Sequence, residues 1–235
     1  MHHLQELEDL IADKLIFRQF SKEERDKLLE KAVKVNWEKG DTVSLTGNRY
    51  PYVIIIAKGL INANKDSIEG RNFTLKSFGE GDAFWGHALF RDNPTPSTLV
   101  AFKPTIAYQW HKDDILPIIK ESKGALWDLC VQLSQRTIEA NMAMEEIVFN
   151  PVVNRLARLL VDQFDKVDRN HIPRNMTLDE MAAKIGTTRE VVCRLLYRLS
   201  DENLIQVDRT KFILINKIEL EKLADGETVT KRSWS

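Results

Sequence analysis

The stretch from Met176 to Asn216, MTLDEMAAKIGTTREVVCRLLYRLSDENLIQVDRTKFILIN, constrains this chain most. It begins with a helical pattern: Thr177 precedes Glu180 by three residues, a capping-box spacing, and Met181, Ala182 and Ile185 share one face. Gly186 then stops the helix where the chain must turn. Thr187 or Thr188 opens a second helix with Val191, Val192, Leu195, Leu196 and Leu199 as its buried stripe. Two short strand patterns follow, Leu204–Val207 and Phe212–Ile215, joined by a turn around Asp208–Lys211. Helix, glycine, helix and hairpin in that order spell a winged helix-turn-helix, a unit that places its second helix in the DNA major groove.

The stripe leaves Arg189, Glu190, Cys193, Arg194, Tyr197 and Arg198 facing solvent or DNA. An arginine near a helix start can donate two hydrogen bonds to guanine O6 and N7, and a glutamate can accept one from cytosine N4. Arg189 and Arg194 lie on neighbouring turns, so they can reach different base pairs. Arg-Glu-x-x-x-Arg alone usually marks a solvated surface, and the capped helices and wing around it reverse that reading. Thr188 at the helix start and Arg209 and Lys211 at the wing are candidates for phosphate contacts, which position a protein without reading sequence.

Upstream, residues 3–16 read as a short helix with Leu4, Leu7, Leu10, Ile11 and Leu15 on one face, and Ser21 with Glu24 opens a second helix to about Ala32. From Val33 to about Tyr108 the texture changes to short strand patterns: Val33–Trp37, Thr42–Leu45, Tyr52–Ala57, Leu60–Ala63, Phe73–Phe78, Leu99–Phe102 and Ile106–Trp110. Glycine turns and no intervening helix predict an antiparallel β-barrel or jelly roll. The fold class is therefore α+β.

Helical pattern returns near Lys112. Cys130, Leu133, Thr137, Ala140, Met144 and Ile147 recur at steps of 3, 4, 3, 4 and 3, a heptad-like seam. Its small residues and threonine favour a close helix–helix contact between two copies over packing on the chain's own barrel. Pro151 disfavours helical geometry in the residue before it and suits a first helical turn, so a new helix starts there with Asn150 as its N-cap and Leu156, Leu159 and Leu160 inward. The expected domains are an effector-sensing barrel with its N-terminal helices (1–111), a barrel-end helix plus long dimerisation helix (112–149), and the DNA-binding unit (150–235).

With 235 residues and a net charge of −1, the whole chain is not a general polyanion binder. From Val152 onward, however, 15 Lys and Arg face 13 Asp and Glu, against 19 and 22 in the rest. Two distant cysteines, Cys130 and Cys193, argue against a disulfide framework, a zinc ribbon or an iron–sulfur cluster and suit a reducing cytoplasm. The acidic, amphipathic N-terminus lacks a signal-peptide core, and the apolar run Val53–Ala57 is too short to span a bilayer.

These blocks together resemble the cyclic-AMP receptor protein/fumarate–nitrate regulator family of bacterial transcription regulators over nearly the whole chain. Lys39-Gly40-Asp41 with Gly47, Val53–Ile61 with Gly59, Phe78–Asp82 and Gly186–Arg194 carry the resemblance. It implies a homodimer paired through the long helix, an effector bound at the barrel, double-stranded DNA as target and RNA polymerase as partner. The Thr-Arg-Glu-x-x-x-Arg block resembles the cyclic-AMP receptor branch. That implies TGTGA-like half-sites in an inverted repeat, read by Arg189, Glu190 and Arg194. Cys193 departs from both branches, which leaves the base it faces open.

The effector region departs further. Where cyclic-nucleotide binders of the family carry a glutamate for the ribose, this chain has His87 or a gap. Where they carry an arginine for the cyclic phosphate, it has Pro96, ahead of Ser97 and Thr98. Ala140-Asn141 replace the Thr-Ser pair that meets adenine. A buried phosphate without its cation is costly, so weak or no cyclic-AMP binding is expected and the cofactor stays unassigned. Trp85, Gly86, His87, Ser97, Thr98 and Asn141 are the expected pocket residues. A haem-dependent or redox regulator of the same fold would have to use His87 or His111. A winged helix serving as a protein-interaction module is the other alternative. No clustered His-x-His metal set, Ser/His/Asp set or phosphate loop supports an enzyme or a metal site.

Overall fold

The computed structural model describes residues 2–226 apart from 13, 69–71, 86–89, 91, 92, 168 and 169, with only the backbone given at 2–4. The described residues of 1–65 and 75–139 form one compact unit, and those of 66–74 and 140–235 form a second.

Along the first part of the chain, α1 (His2–Ile11) and α2 (Lys22–Lys31) precede eight strands. These are β1 (Val33–Trp37), β2 (Thr42–Ser44), β3 (Tyr52–Lys58), β4 (Ile61–Asp66), β5 (Asn72–Phe78), β6 (Ala83–Trp85), β7 (Thr98–Ala101) and β8 (Thr105–His111). They make two four-stranded sheets, ordered β1-β8-β3-β6 and β2-β7-β4-β5, with antiparallel pairing in every described pair. The sheets stay open, so the expected barrel takes its jelly-roll form.

The run in β3 shows how sequence sets the layers. Successive strand residues point to opposite faces. Ile54 and Ile56 therefore join Ile61, Phe78, Phe84 and Leu99 in a core built from both sheets. Val53 and Ile55 instead join Tyr108, Trp110 and Trp85 on the outer face of the first sheet, under Leu7, Phe17, Leu28, Ile115 and Leu129. Both faces of this strand are buried, which is why its pattern is continuous rather than alternating. At the β3–β4 turn, Gly59 has φ +105°, and a Cβ there would stand 2.5 Å from the Pro104 carbonyl oxygen.

The first helix is shorter than expected: it stops at Ile11 rather than reaching residue 16, and Ile16 adopts φ 80°. After β8 come α3 (Lys112–Glu121) and the 27-residue α4 (Lys123–Phe149), about 40 Å long at 1.5 Å per residue. Only Ala125, Asp128 and Leu129 of α4 are buried. Every residue of the heptad-like seam is exposed, including Met144 at 59% and Leu133 and Ile147 at 42% each.

The second unit contains α5 (Val152–Phe164), β9 (His171–Pro173), α6 (Leu178–Ile185), α7 (Arg189–Asp201), β10 (Ile205–Val207), β11 (Lys211–Leu214) and α8 (Lys217–Ala224). Its core gathers Leu156, Leu160, Phe164, Ile172, Met181, Val192, Leu196, Leu199, Phe212 and Leu220. Two local expectations are corrected here. The N-cap of α5 is Pro151, and the Asn150 side chain instead donates from Nδ2 to the Glu146 carboxylate one turn back. The expected polar loop to Pro173 contains β9, which completes a three-stranded wing sheet in the order β10-β11-β9. Among the described residues no helix is long and apolar enough to cross a membrane.

Candidate nucleic-acid interface

The recognition element is built by local rules. Thr177 Oγ1 accepts from the Glu180 amide at 3.1 Å, and the Glu180 carboxylate accepts from the Thr177 amide at 2.7 Å, closing the capping box on α6. Gly186 ends α6 in the left-handed conformation, φ 68°, which allows the chain to turn into α7 without a Cβ clash. Thr188 is the N-cap of α7, but its side chain accepts no backbone N–H.

On α7, Val192, Leu195, Leu196 and Leu199 are buried, and Val191 is half-buried against the same core. The opposite side is a shallow concave surface lined by Arg189, Glu190, Cys193, Arg194, Tyr197, Arg198 and Asp201. Those positions follow the helical repeat along a single face. The expected Arg189, Glu190, Cys193, Arg194 and Arg198 are thus brought together with Tyr197, 67% exposed and already on the outward face read from the sequence, and with Asp201 below them. The helical repeat alone could have found Asp201.

The charges on this face are held but accessible. Arg189 Nη1 meets Asp179 of α6 at 3.4 Å with both side chains exposed, and Arg198 pairs with Glu202 at 3.5 Å. Arg194 has no ion pair or hydrogen bond among the described residues. The Glu190 carboxyl is drawn below its ordinary range by its own backbone amide, the Thr188 hydroxyl and the neighbouring Arg189 charge. It is therefore an ionised acceptor near neutral pH, the form that a cytosine amine requires.

The wing tip holds Arg209, exposed, and Lys211, half-buried. Its turn is closed by the Asp208 amide donating to the Lys211 carbonyl at 2.9 Å. Arg174, not singled out from sequence, braces it: Nη1 donates to the Asp208 carbonyl at 3.1 Å, and the guanidinium lies 5.2 Å from the centre of the Phe212 ring.

The expected effector residues do not gather. Trp85 is in the core with its indole N–H buried and without a partner among the described residues. Ser97 is buried, and Thr98 accepts from the Thr46 amide at 3.1 Å. Asn141 is exposed on α4, while Gly86 and His87 lie outside the described residues. None of the four described residues lines the cavity of about 500 Å³ that the first unit does contain, whose walls include Phe17, Phe78 and Arg136. His111 caps α3, with Nδ1 accepting from the Asp113 amide at 3.3 Å. Among the described residues no His, Cys, Asp and Glu cluster is placed to hold a metal ion.

A jelly roll followed by a long helix and a winged helix-turn-helix with a charged outer face defines a DNA-binding regulator. Comparison with known proteins agrees. Residues 34–122 match the cyclic nucleotide-binding domain and residues 154–223 the Crp-like helix-turn-helix domain. The cyclic AMP receptor protein of Thermus thermophilus is 24% identical over 213 residues, 90% of this chain and 97% of the relative. Among solved structures, a putative transcriptional regulator of the Crp/Fnr family from Eubacterium rectale superposes with a TM-score of 0.77 at 19% identity, covering 89% of this chain and 97% of that one. The c-di-GMP responsive regulator CLP of Xanthomonas campestris gives 0.73 at 16%, covering 83% and 100%. The chain belongs to the cyclic-AMP receptor protein/fumarate–nitrate regulator family of transcription regulators.

Proposed function

We propose that the chain acts in the cytoplasm as a homodimer that reads an inverted repeat with TGTGA-like half-sites, under the control of an effector other than cyclic AMP. The observation that carries this reading is the outer face of α7, where Arg189, Glu190 and Arg194 stand together and open to solvent. Arg209 and Lys211 supply phosphate contacts from the wing.

Dimerisation is supported by α4. Leu133, Ile138, Met142, Met144, Ile147, Val148 and Phe149 are each at least 42% exposed. A long helix carrying so many exposed apolar side chains needs a partner, and a second copy supplies the same seam by symmetry. Two copies would present their α7 helices to half-sites one helical turn apart, ~34 Å. RNA polymerase is the proposed partner once the dimer is on DNA.

Against cyclic AMP stand Pro96, in place of a phosphate-binding arginine, and the exposed Ala140-Asn141. That relatives are named for cyclic AMP and for c-di-GMP supports a sensing unit whose ligand differs between members. Selection of bound duplexes from a random pool by the purified protein tests the DNA reading. Two TGTGA-type half-sites in inverted order are expected, and enrichment of single or directly repeated sites contradicts it.

A further inference from the structure

We propose that the cavity walled by the segment after α1, the β5–β6 turn and α4 binds a small organic carboxylate with an apolar body. The proposal deepens the effector reading above and rests on it, since binding here is taken as the signal that the DNA-binding unit answers.

The cavity is about 500 Å³, within the usual range for small-molecule sites. Leu15, Phe17, Phe78 and Val131 give it apolar walls. Its charges divide into satisfied acids and less satisfied bases. The Asp82 carboxylate accepts from the Gly79 amide at 2.8 Å, and the Glu139 carboxylate is paired with Lys76 and accepts from Gln135. Arg136 gives one hydrogen bond, Nη2 to the Ala83 carbonyl at 2.6 Å, and has no other hydrogen-bond partner among the described residues. A guanidinium has five donors. Burial disfavours its charge, the nearby Glu139 and Asp82 carboxylates favour it, and a bound anion would add to their effect.

Lys14 adds a second cation. Its ammonium lies over Gly81, where a Cβ would stand only 2.5 Å from Nζ. Lys14, Lys76 and Arg136 against Asp82 and Glu139 leave the lining one positive charge in excess. Gln132 also lines the cavity, and its side-chain amide nitrogen can donate to a carboxylate, while its buried amide oxygen, an acceptor, has no partner among the described residues. Cations with donors to spare above aromatic and aliphatic walls suit a carboxylate head on an apolar body. A bare inorganic anion would leave those walls unused, and a neutral lipid would leave the one excess positive charge without a counter-charge.

Isothermal titration of the full chain with octanoate and with 3-phenylpropionate tests this, with acetate and octanamide as controls lacking the body and the charge. Saturable binding of at least one acid at one per chain is expected, with both controls weaker. Arg136→Gln and, separately, Lys14→Ala should each weaken it about tenfold, the scale of one charge-assisted hydrogen bond. Lys14→Ala serves as the check should Arg136→Gln disturb the fold. Lys120→Ala, on the exposed face of α3 and outside the cavity lining, should leave it unchanged. No saturation by either acid, or binding that ignores both substitutions or accepts octanamide equally, overturns the site. Duplex binding measured on the same samples separates the two readings. A ligand-bound protein with unaltered DNA affinity overturns the effector role and keeps the site. Specific DNA binding with no uptake of either acid overturns the site and keeps the DNA reading.

Discussion

Asp128 and Arg18, 110 residues apart, meet in a two-pronged pair, with Arg18 Nε 3.1 Å from Oδ2 and Nη2 3.3 Å from Oδ1. The same carboxylate accepts from the Gln19 side chain at 2.9 Å and from the Ile16 amide at 3.3 Å. Its side chain is 6% exposed, so this one residue of α4 ties down the segment after α1. That segment includes Ile16 at φ 80°, ψ −57°, a conformation a β-branched residue keeps only when its surroundings enforce it.

Asp128→Asn should therefore destabilise the chain by about 1–3 kcal/mol at pH 7, because four donors from three residues lose a charged acceptor. Hydrogen bonds from Arg18 and Gln19 hold the Asp128 carboxyl down at about 2, against an ordinary 3.8. A depressed folded pKa means the stabilisation is complete above the unfolded value and is lost as pH falls through the folded one. Urea unfolding of both proteins should show the gap between them closing from pH 4 to pH 2. A gap independent of pH would contradict this assignment.

Arg189→Ala and Arg194→Ala should each cost about 1–3 kcal/mol of discrimination at one base pair per half-site. Arg209→Ala should weaken binding to all duplexes alike and flatten the salt dependence. Titrations of cognate and scrambled duplexes at two salt concentrations distinguish the two behaviours. The account fails if Arg209→Ala changes sequence preference while Arg194→Ala does not.

Pairing through α4 predicts that Leu133→Asp combined with Ile147→Asp gives a folded monomer by sedimentation. Circular dichroism should be unchanged apart from fraying of α4, since both side chains are 42% exposed within the chain. A dimer that survives both charges would place the interface elsewhere.

Gly186→Ala should lower stability by about 1 kcal/mol, the cost of a Cβ in the left-handed region. Thr177→Ala should cost a similar amount, about 1 kcal/mol, through loss of the α6 cap. Thermal melts of the two variants test both values, and a neutral Gly186→Ala would contradict the positive φ.

Legibility from sequence followed the length and regularity of each element. Strand β1 begins and ends where its alternation does, and the α6 capping box is readable in Thr177 and Glu180 alone. Strands β6 and β9 have three residues each, too few to show a period, and β9 ends on Pro173. Helix α8 starts at an Asn216 cap, whose Oδ1 accepts from the Glu219 amide at 3.2 Å, directly after the wing strand, so its short pattern runs on from the strand's without a glycine or proline between them. The proposed DNA-reading face was visible because one helix carries it whole. The cavity was not, because Lys14, Phe78 and Arg136 come from three distant segments and meet only after folding.

The most direct test is fluorescence anisotropy of the purified protein on a TGTGA-type inverted-repeat duplex and on a scrambled one, at fixed salt, with and without cyclic AMP. Preference for the inverted repeat that cyclic AMP leaves unaltered is the predicted result. Binding that appears only when cyclic AMP is added, or equal affinity for the two duplexes in both conditions, would contradict it.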